Sequence, residues 1–135
     1  MKNSRFAVAI HILSLASFQP RATSDFIASS VNTNPVVIRR ISSMLKKAGL
    51  LTSQAGVPGV NLTKDPIDIT LLEIYKAVQG KDETTFAMHE DPNPDCVVGR
   101  NIQATLENKF MCAQSAMENE LARQTLDDIL HDLFE

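Results

Sequence analysis

The sequence predicts a mainly α-helical fold that carries one small β-hairpin and ends in a long helix. Three observations lead there. PVVIRRISSMLKK (Pro35–Lys47) is introduced by the turn-forming NTN and closed by Gly49. Two β-prone stretches, 50–53 and 60–63, are joined by QAGVPG, whose glycines and proline punctuate a turn. Further on, Val98, Ile102, Leu106, Phe110, Ala113, Met117 and Leu121 recur at steps of three or four, one apolar stripe along a single helix.

A chain of 135 residues suits one core with at most a small appendage. Apolar residues make up 44% and charged residues 21%, so the chain is globular rather than disordered. With no Trp, one Tyr and six Phe, the core must be mostly aliphatic.

The first helix is expected over residues 4–18. Its run FAVAIHILSLASF follows Lys2 and Arg5 and imitates the apolar centre of a signal peptide. The run is too short for a bilayer, which takes roughly 20 residues, and His11 interrupts it. A buried central helix is the expectation, with His11 hydrogen-bonded inside it and no membrane partner. QPRATS breaks the helix. A short second helix is expected with Ser24 as its N-cap and Ile27 and Val31 on one side. Asn32-Thr33-Asn34 forms a turn, since Asn tolerates the left-handed backbone. Asn34 then caps a third helix, with Pro35 at its first position, where the missing N–H costs nothing. Gly49 ends it. Its inner face is expected to be Val37, Ile41, Met44, Leu45 and Ala48, and its outer face Val36, Arg39, Arg40, Ser43, Lys46 and Lys47.

After the hairpin, Asp68 or Thr70 should cap a fourth helix with Leu71, Ile74, Tyr75 and Val78 inside. Residues 81–95 (KDETTFAMHEDPNPD) are polar and proline-punctuated, a linker. The long helix should begin near Asp95. Thr125 can cap a last short helix carrying Leu126, Ile129, Leu130 and Leu133. The expected division is residues 1–80, a linker at 81–95, and a helical region at 96–135.

Charge is divided unevenly. Residues 1–64 carry eight cations (Lys2, Arg5, Arg21, Arg39, Arg40, Lys46, Lys47, Lys64) against Asp25 alone, a net of +7, while residues 65–135 carry −10. The overall −3 hides this dipole. A basic half is the electrostatic footprint of a polyanion binder.

Helix, short helix, turn, cationic helix and β-hairpin, in that order, make a winged helix-turn-helix. A helix entering a DNA major groove needs small or polar residues at its start to approach base edges, and cations along its outer face for phosphates. The expected interface is therefore Thr33, Asn34, Val36, Arg39 and Arg40 on the bases, with Ser43 beside them. Asn3, Ser4, Arg5, Lys46 and Lys47 would hold phosphates, helped by Gln54, Gly56 and Gly59 of the wing. The plain alternative, a solvated cationic helix on an ordinary domain, explains the arginines but not turn, cap and hairpin together.

KAGLL (47–51), Ser53, the GxxG of 56–59, Leu62 and ITLLEIYKAVQG (69–80) stand in series, and TLDDIL follows at 125–130. This pattern resembles the bacterial Rrf-two-type transcription regulators over nearly the whole chain. The CVVG and ENELARQTL segments are similar to the cluster-free, YwnA-like branch. The resemblance implies a homodimeric cytoplasmic regulator, most simply a repressor, whose long helix pairs through Ile102, Leu106, Phe110, Ala113, Met117 and Leu121 and whose partner is a roughly palindromic double-stranded operator. Many family members carry a basic residue before the first wing glycine and an aromatic after GxxG, where this chain has Ala55, Val60 and Asn61. The family's iron–sulfur members carry three linker cysteines, where this chain has only Cys96. No iron–sulfur cluster or other cofactor is expected.

Cys96, first in the long helix if Asp95 caps it, would have its thiol pKa lowered by the helix dipole, while Glu90, Asp91 and Asp95 push the other way. It is a candidate redox sensor. Cys112 is expected to pack beside the apolar stripe. HEDPNPDC (89–96) collects metal-type donors at no standard zinc spacing, so no metal site is expected. No nucleophile, phosphate-loop or metalloprotease motif appears, and no enzyme is expected. Two rival functions remain: a winged-helix module that binds proteins rather than DNA, and a thiol sensor.

Overall fold

A computed structural model of the chain describes residues 4–80 and 85–135. Its elements are α1 (Arg5–Phe18), α2 (Ser24–Val31), α3 (Pro35–Lys47), β1 (Leu51–Thr52), β2 (Asn61–Leu62), a 3-10 turn (Pro66–Asp68), α4 (Leu71–Val78), α5 (Val97–Arg123) and α6 (Leu126–Phe134). The chain forms two compact units, Met1–Gln79 with Leu121–Glu135, and Gly80–Glu120.

In the first unit α1 is the central helix. Its Ala9, Ile12, Leu13 and Ala16 are buried, joined by Ile27 and Ala28 of α2, Ile38, Ile41 and Leu45 of α3, and Ile74 and Val78 of α4. The apolar run that imitates a leader is thus consumed by the core, and among the described residues no helix is long and apolar enough to cross a membrane. His11 is half-buried and bonds Ser30 Oγ at 2.9 Å, tying α1 to α2. Phe6 meets Tyr75 edge-on at 5.5 Å, and Phe18 stacks on Phe134 at 5.1 Å.

The last 15 residues, distant in sequence, return to this core. Leu126 is fully buried. Thr70 and Thr125 each close a capping box, with Glu73 and Asp128 respectively. The two helix starts also pair with each other, Leu71 N–H donating to the Gln124 carbonyl at 2.9 Å and Leu126 N–H to that of Ile69 at 2.8 Å. Helix ends leave backbone groups without helical partners. Here the first N–H of each helix is satisfied by a carbonyl just before the other helix.

Several local expectations shift. The N-cap of α2 is Thr23, whose Oγ1 accepts the Phe26 N–H at 3.2 Å, and not Ser24. The inner face of α3 is Ile38, Ile41, Ser42 and Leu45, whereas Val37 and Met44 are half-buried and Ala48 is exposed. The expected face is rotated because Val36-Val37-Ile38 offers three apolar residues in a row. Packing in the shared core chooses Ile38. The β-pairing is shorter than expected, Leu51 opposite Leu62 and Thr52 opposite Asn61. Tyr75 and Leu130 are half-buried, and Leu133 is 59% exposed.

In the second unit, residues 85–96 are irregular and α5 begins at Val97 rather than at Asp95 or Cys96. A Cβ at Gly99 would overlap the Asn93 carbonyl, so the loop can fold tightly against the helix start only with glycine there. Phe86 stacks on Phe110 at 5.5 Å. No residue of α5 is buried in the single chain: Ile102, Leu106, Phe110 and Met117 are half-buried, and Val98 and Ala113 are exposed. Leu121, near the end of α5, belongs to the first unit and packs on that unit's core.

Candidate nucleic-acid interface

Three local devices aim α3. Asn32 takes the left-handed backbone (φ 66) and turns the chain after α2. Asn34 Oδ1 accepts the Val37 N–H at 3.1 Å and starts the helix, and Pro35 holds its first turn. Thr33, half-buried in the turn, donates its N–H to the Ala28 carbonyl at 3.0 Å. With Ile38, Ile41 and Leu45 locked in the core, the opposite side must face solvent. Val36, Arg39, Arg40, Ser43, Lys46 and Lys47 are all exposed.

The outer face divides into two lines. Residues seven apart lie almost above one another on a helix. Arg39 and Lys46 form one such line, and both border a cleft of about 360 Å³ between α3, the start of α2 and the wing. Thr23 and Ser24 border it from α2, and Ser53, Gln54, Val57, Pro58 and Gly59 from the wing. Val36, Arg40, Ser43 and Lys47 form the second line, outside the cleft. Arg39 and Arg40 are adjacent in sequence and part company in space. The sequence treats Thr23 and Ser24 only as a helix start. Their place on the cleft depends on the wing folding over, which no local pattern encodes.

The wing is fastened to the segment between α1 and α2. Val60 N–H donates to the Ala22 carbonyl at 3.1 Å, and Arg21 N–H to Asn61 Oδ1 at 3.2 Å. Gly59 (φ 94) lies against Arg21, and a Cβ there would overlap the Arg21 carbonyl. Gly56 (φ 79) faces open space and serves the turn itself. Ser4 is exposed and Arg5 half-buried at the start of α1. Asn3 lies outside the described residues.

Cys96 precedes α5 and takes the N-cap place, its carbonyl accepting the Arg100 N–H at 2.8 Å. Backbone N–H groups of Gly99 and then Val98 donate to its sulfur and hold the thiol below its ordinary pKa, because they stabilise the thiolate. Cys112 is exposed in the single chain.

A wing closed over a cationic, solvent-facing second helix of a helix-turn-helix is the architecture of a DNA-binding transcription regulator. The chain belongs to the Rrf2 family: that family's model, described as an iron-dependent transcriptional regulator, matches residues 2–132. It is 60% identical over 134 residues to YwnA of Bacillus subtilis (strain 168), a candidate HTH-type transcriptional regulator, covering 99% of this chain and 100% of that one. A crystal structure of a candidate DNA-binding protein shares 55% identity at a TM-score of 0.80, covering 94% of this chain and 99% of that one. A candidate transcriptional regulator from Lactobacillus plantarum shares 26% identity at a TM-score of 0.81, over 96% of this chain and 89% of that one.

Iron in the family's description prompts a test of the donor set. Among the described residues no group of three or more His, Cys, Asp or Glu could hold a metal. Cys96 and Cys112 are separated by the helix itself, about 24 Å at 1.5 Å per residue. Two thiols that far apart in one chain cannot ligate one cluster, so these residues do not fit it.

Proposed function

We propose that the protein is a homodimeric repressor, working in the cytoplasm, that grips a roughly palindromic double-stranded operator through helix 35–48 and wing 53–61. It is a regulator and not an enzyme. The observation that carries this reading is the fully exposed outer face of α3, with Arg39, Arg40, Lys46 and Lys47 and no acid on the helix. The two lines on that face suggest a division of labour. Arg39 and Lys46, beside the wing cleft, suit a backbone phosphate, with Gln54 and the wing glycines next to it. Arg40 and Ser43, on the outward line with Val36, suit base edges. Asn3, Ser4, Arg5 and Lys47 would add phosphate contacts.

Dimerisation rests on α5, about 40 Å long at 1.5 Å per residue, with an apolar stripe and no buried residue. Monomers rarely leave so long an apolar face open. Two-fold pairing through it would set two recognition helices about one DNA turn apart. In this reading residues 1–80 bind DNA, 81–95 link, and 96–135 pair the protomers, with α6 also completing the core of the first unit. A dimer seated on a promoter obstructs other proteins, which makes repression the simplest mode.

The test is a gel shift with sheared genomic DNA, wild type against Arg40→Ala and Arg39→Ala. Wild type should shift the DNA and both variants should weaken it. Arg40→Ala should flatten sequence preference, and Arg39→Ala should weaken all sequences alike. No shift at any protein concentration would favour a protein-binding winged helix instead.

The Cys96 geometry favours a second role, as a thiol sensor on the same regulator. An exposed thiol with two N–H donors is prepared to react as thiolate. Titration with a thiol reagent should give a pKa below that of an ordinary cysteine thiol, and mild oxidant should change the DNA affinity of wild type but not of Cys96→Ser. An ordinary pKa with affinity unmoved by oxidant would make Cys96 inert.

A further inference from the structure

We propose that Val36 reads the C5-methyl group of a pyrimidine, so that each half of the operator carries a thymine facing the first turn of α3. The proposal rests on the DNA-binding reading above and adds what the first turn recognises.

Val36 is 62% exposed. A single exposed valine is unremarkable in itself, but this one has an unusual setting. It is the second residue of α3, between the Asn34 cap and Arg39-Arg40, at the end of the helix that approaches base edges first. It heads the outward line that continues through Arg40 and Ser43. Its backbone is held by the Asn34 cap and by Pro35. Its side chain has essentially one rotamer available in a helix, so its two methyl groups are presented without further loss of freedom.

The chemistry then selects the partner. When a helix seats in the major groove, water leaves both surfaces. A polar side chain there can recover hydrogen bonds from base edges, but valine can gain only from an apolar group. The base pairs display donors and acceptors along that groove and one apolar group, the thymine C5-methyl. Opposite cytosine, the valine would instead cover the N4 amino group and leave a donor without water, which disfavours that base. The first turn is therefore a methyl detector, and the arginine one turn later on the same line reads hydrogen-bonding atoms beside it.

The experiment uses the full-length protein and a randomised duplex library. The enriched duplex is resynthesised with deoxyuridine in place of each thymidine in turn, which removes only the methyl. At one position per half-site the replacement should weaken binding about fourfold, the effect of one buried methyl-sized group. At that position 5-methylcytosine should bind more tightly than cytosine. In Val36→Ala the uridine effect should fall toward none, while Val36→Thr, which keeps one branch methyl, should retain part of it. Thermal melting of both variants checks that the fold is kept. The proposal is overturned if no thymine is sensitive to uridine. It is equally overturned if the sensitivity survives undiminished in Val36→Ala, because the methyl then acts through DNA shape. If no duplex is enriched at all, the DNA-binding reading itself fails, a result distinct from both.

Discussion

Helices α3 and α5 are both amphipathic and stand in opposite relations to the rest of the chain. In α3 the apolar side is fully satisfied inside one chain, with Ile38, Ile41 and Leu45 at most 1% exposed. What remains outside is charge. In α5 no residue is fully buried: Ile102, Leu106, Phe110 and Met117 of the stripe are only half-covered in the single chain, and Val98 and Ala113 are exposed. A helix whose apolar face is already covered can offer its polar face to a partner of opposite charge. A helix whose apolar face is open requires a partner of its own kind. In the proposed reading, DNA covers the first face and a second copy of the chain covers the second.

The contrast can be broken at either helix, and the largest effect should come from the buried side of α3. Ile41→Ala should destabilise the fold by about 2–5 kcal/mol, since it removes atoms from a packed site. Chemical denaturation followed by circular dichroism measures this. In α5, Leu106→Asp should act on association. Covering an unpaired carboxylate in a dimer interface costs several kcal/mol, so dimerisation should weaken by roughly a hundredfold or more. Sedimentation velocity would show this as a monomer at concentrations where wild type is a dimer. Wild type sedimenting as a monomer at micromolar concentration would remove the contrast.

Smaller effects sharpen it. Asn34→Ala removes the α3 cap and should cost about 1 kcal/mol of stability. It should also weaken DNA binding, because the first turn of α3 frays, and thermal melting beside a gel shift separates the two effects. The smallest concerns pH. Burial pushes the Glu73 carboxyl up, but hydrogen bonds from Lys64 (2.8 Å) and from Thr70, with the Lys64 charge, hold it below its ordinary range. A depressed carboxylate stabilises the fold above its unfolded pKa, and the contribution is lost as pH falls through the folded value. Wild type should therefore lose stability in acid more than Lys64→Met does. The difference should stay within about 1 kcal/mol, because the pair is partly exposed and screened.

The sequence is most legible where one residue type has one physical use. Asn34-Pro35 announces a helix start, Gly49 (φ 80) its end and Thr125 the start of α6, while for α4 the sequence offers Asp68 or Thr70 and the structure uses Thr70. The exposed face of α3 follows directly from its charge. Its buried face does not, because Val37 and Ile38 are both apolar and the choice is made by packing against the other helices of the core. The Thr23 cap has the same origin. Thr23 and Ser24 can both cap, and only the geometry of the preceding loop decides. The Ala22–Val60 pairing and the wing cleft were hidden for another reason: they join residues about 40 apart, and local patterns carry no trace of that.

The central claim is that the outer face of α3 is a phosphate- and base-binding surface. Its most direct test is the salt dependence of duplex DNA binding, measured by fluorescence anisotropy for wild type and Arg40→Ala. If a dimer neutralises about six phosphates, log K should fall against log salt with a slope near −5. A base-reading Arg40 should leave that slope nearly unchanged while lowering affinity for the preferred site. Association that is independent of salt, or absent at low salt, would contradict the claim.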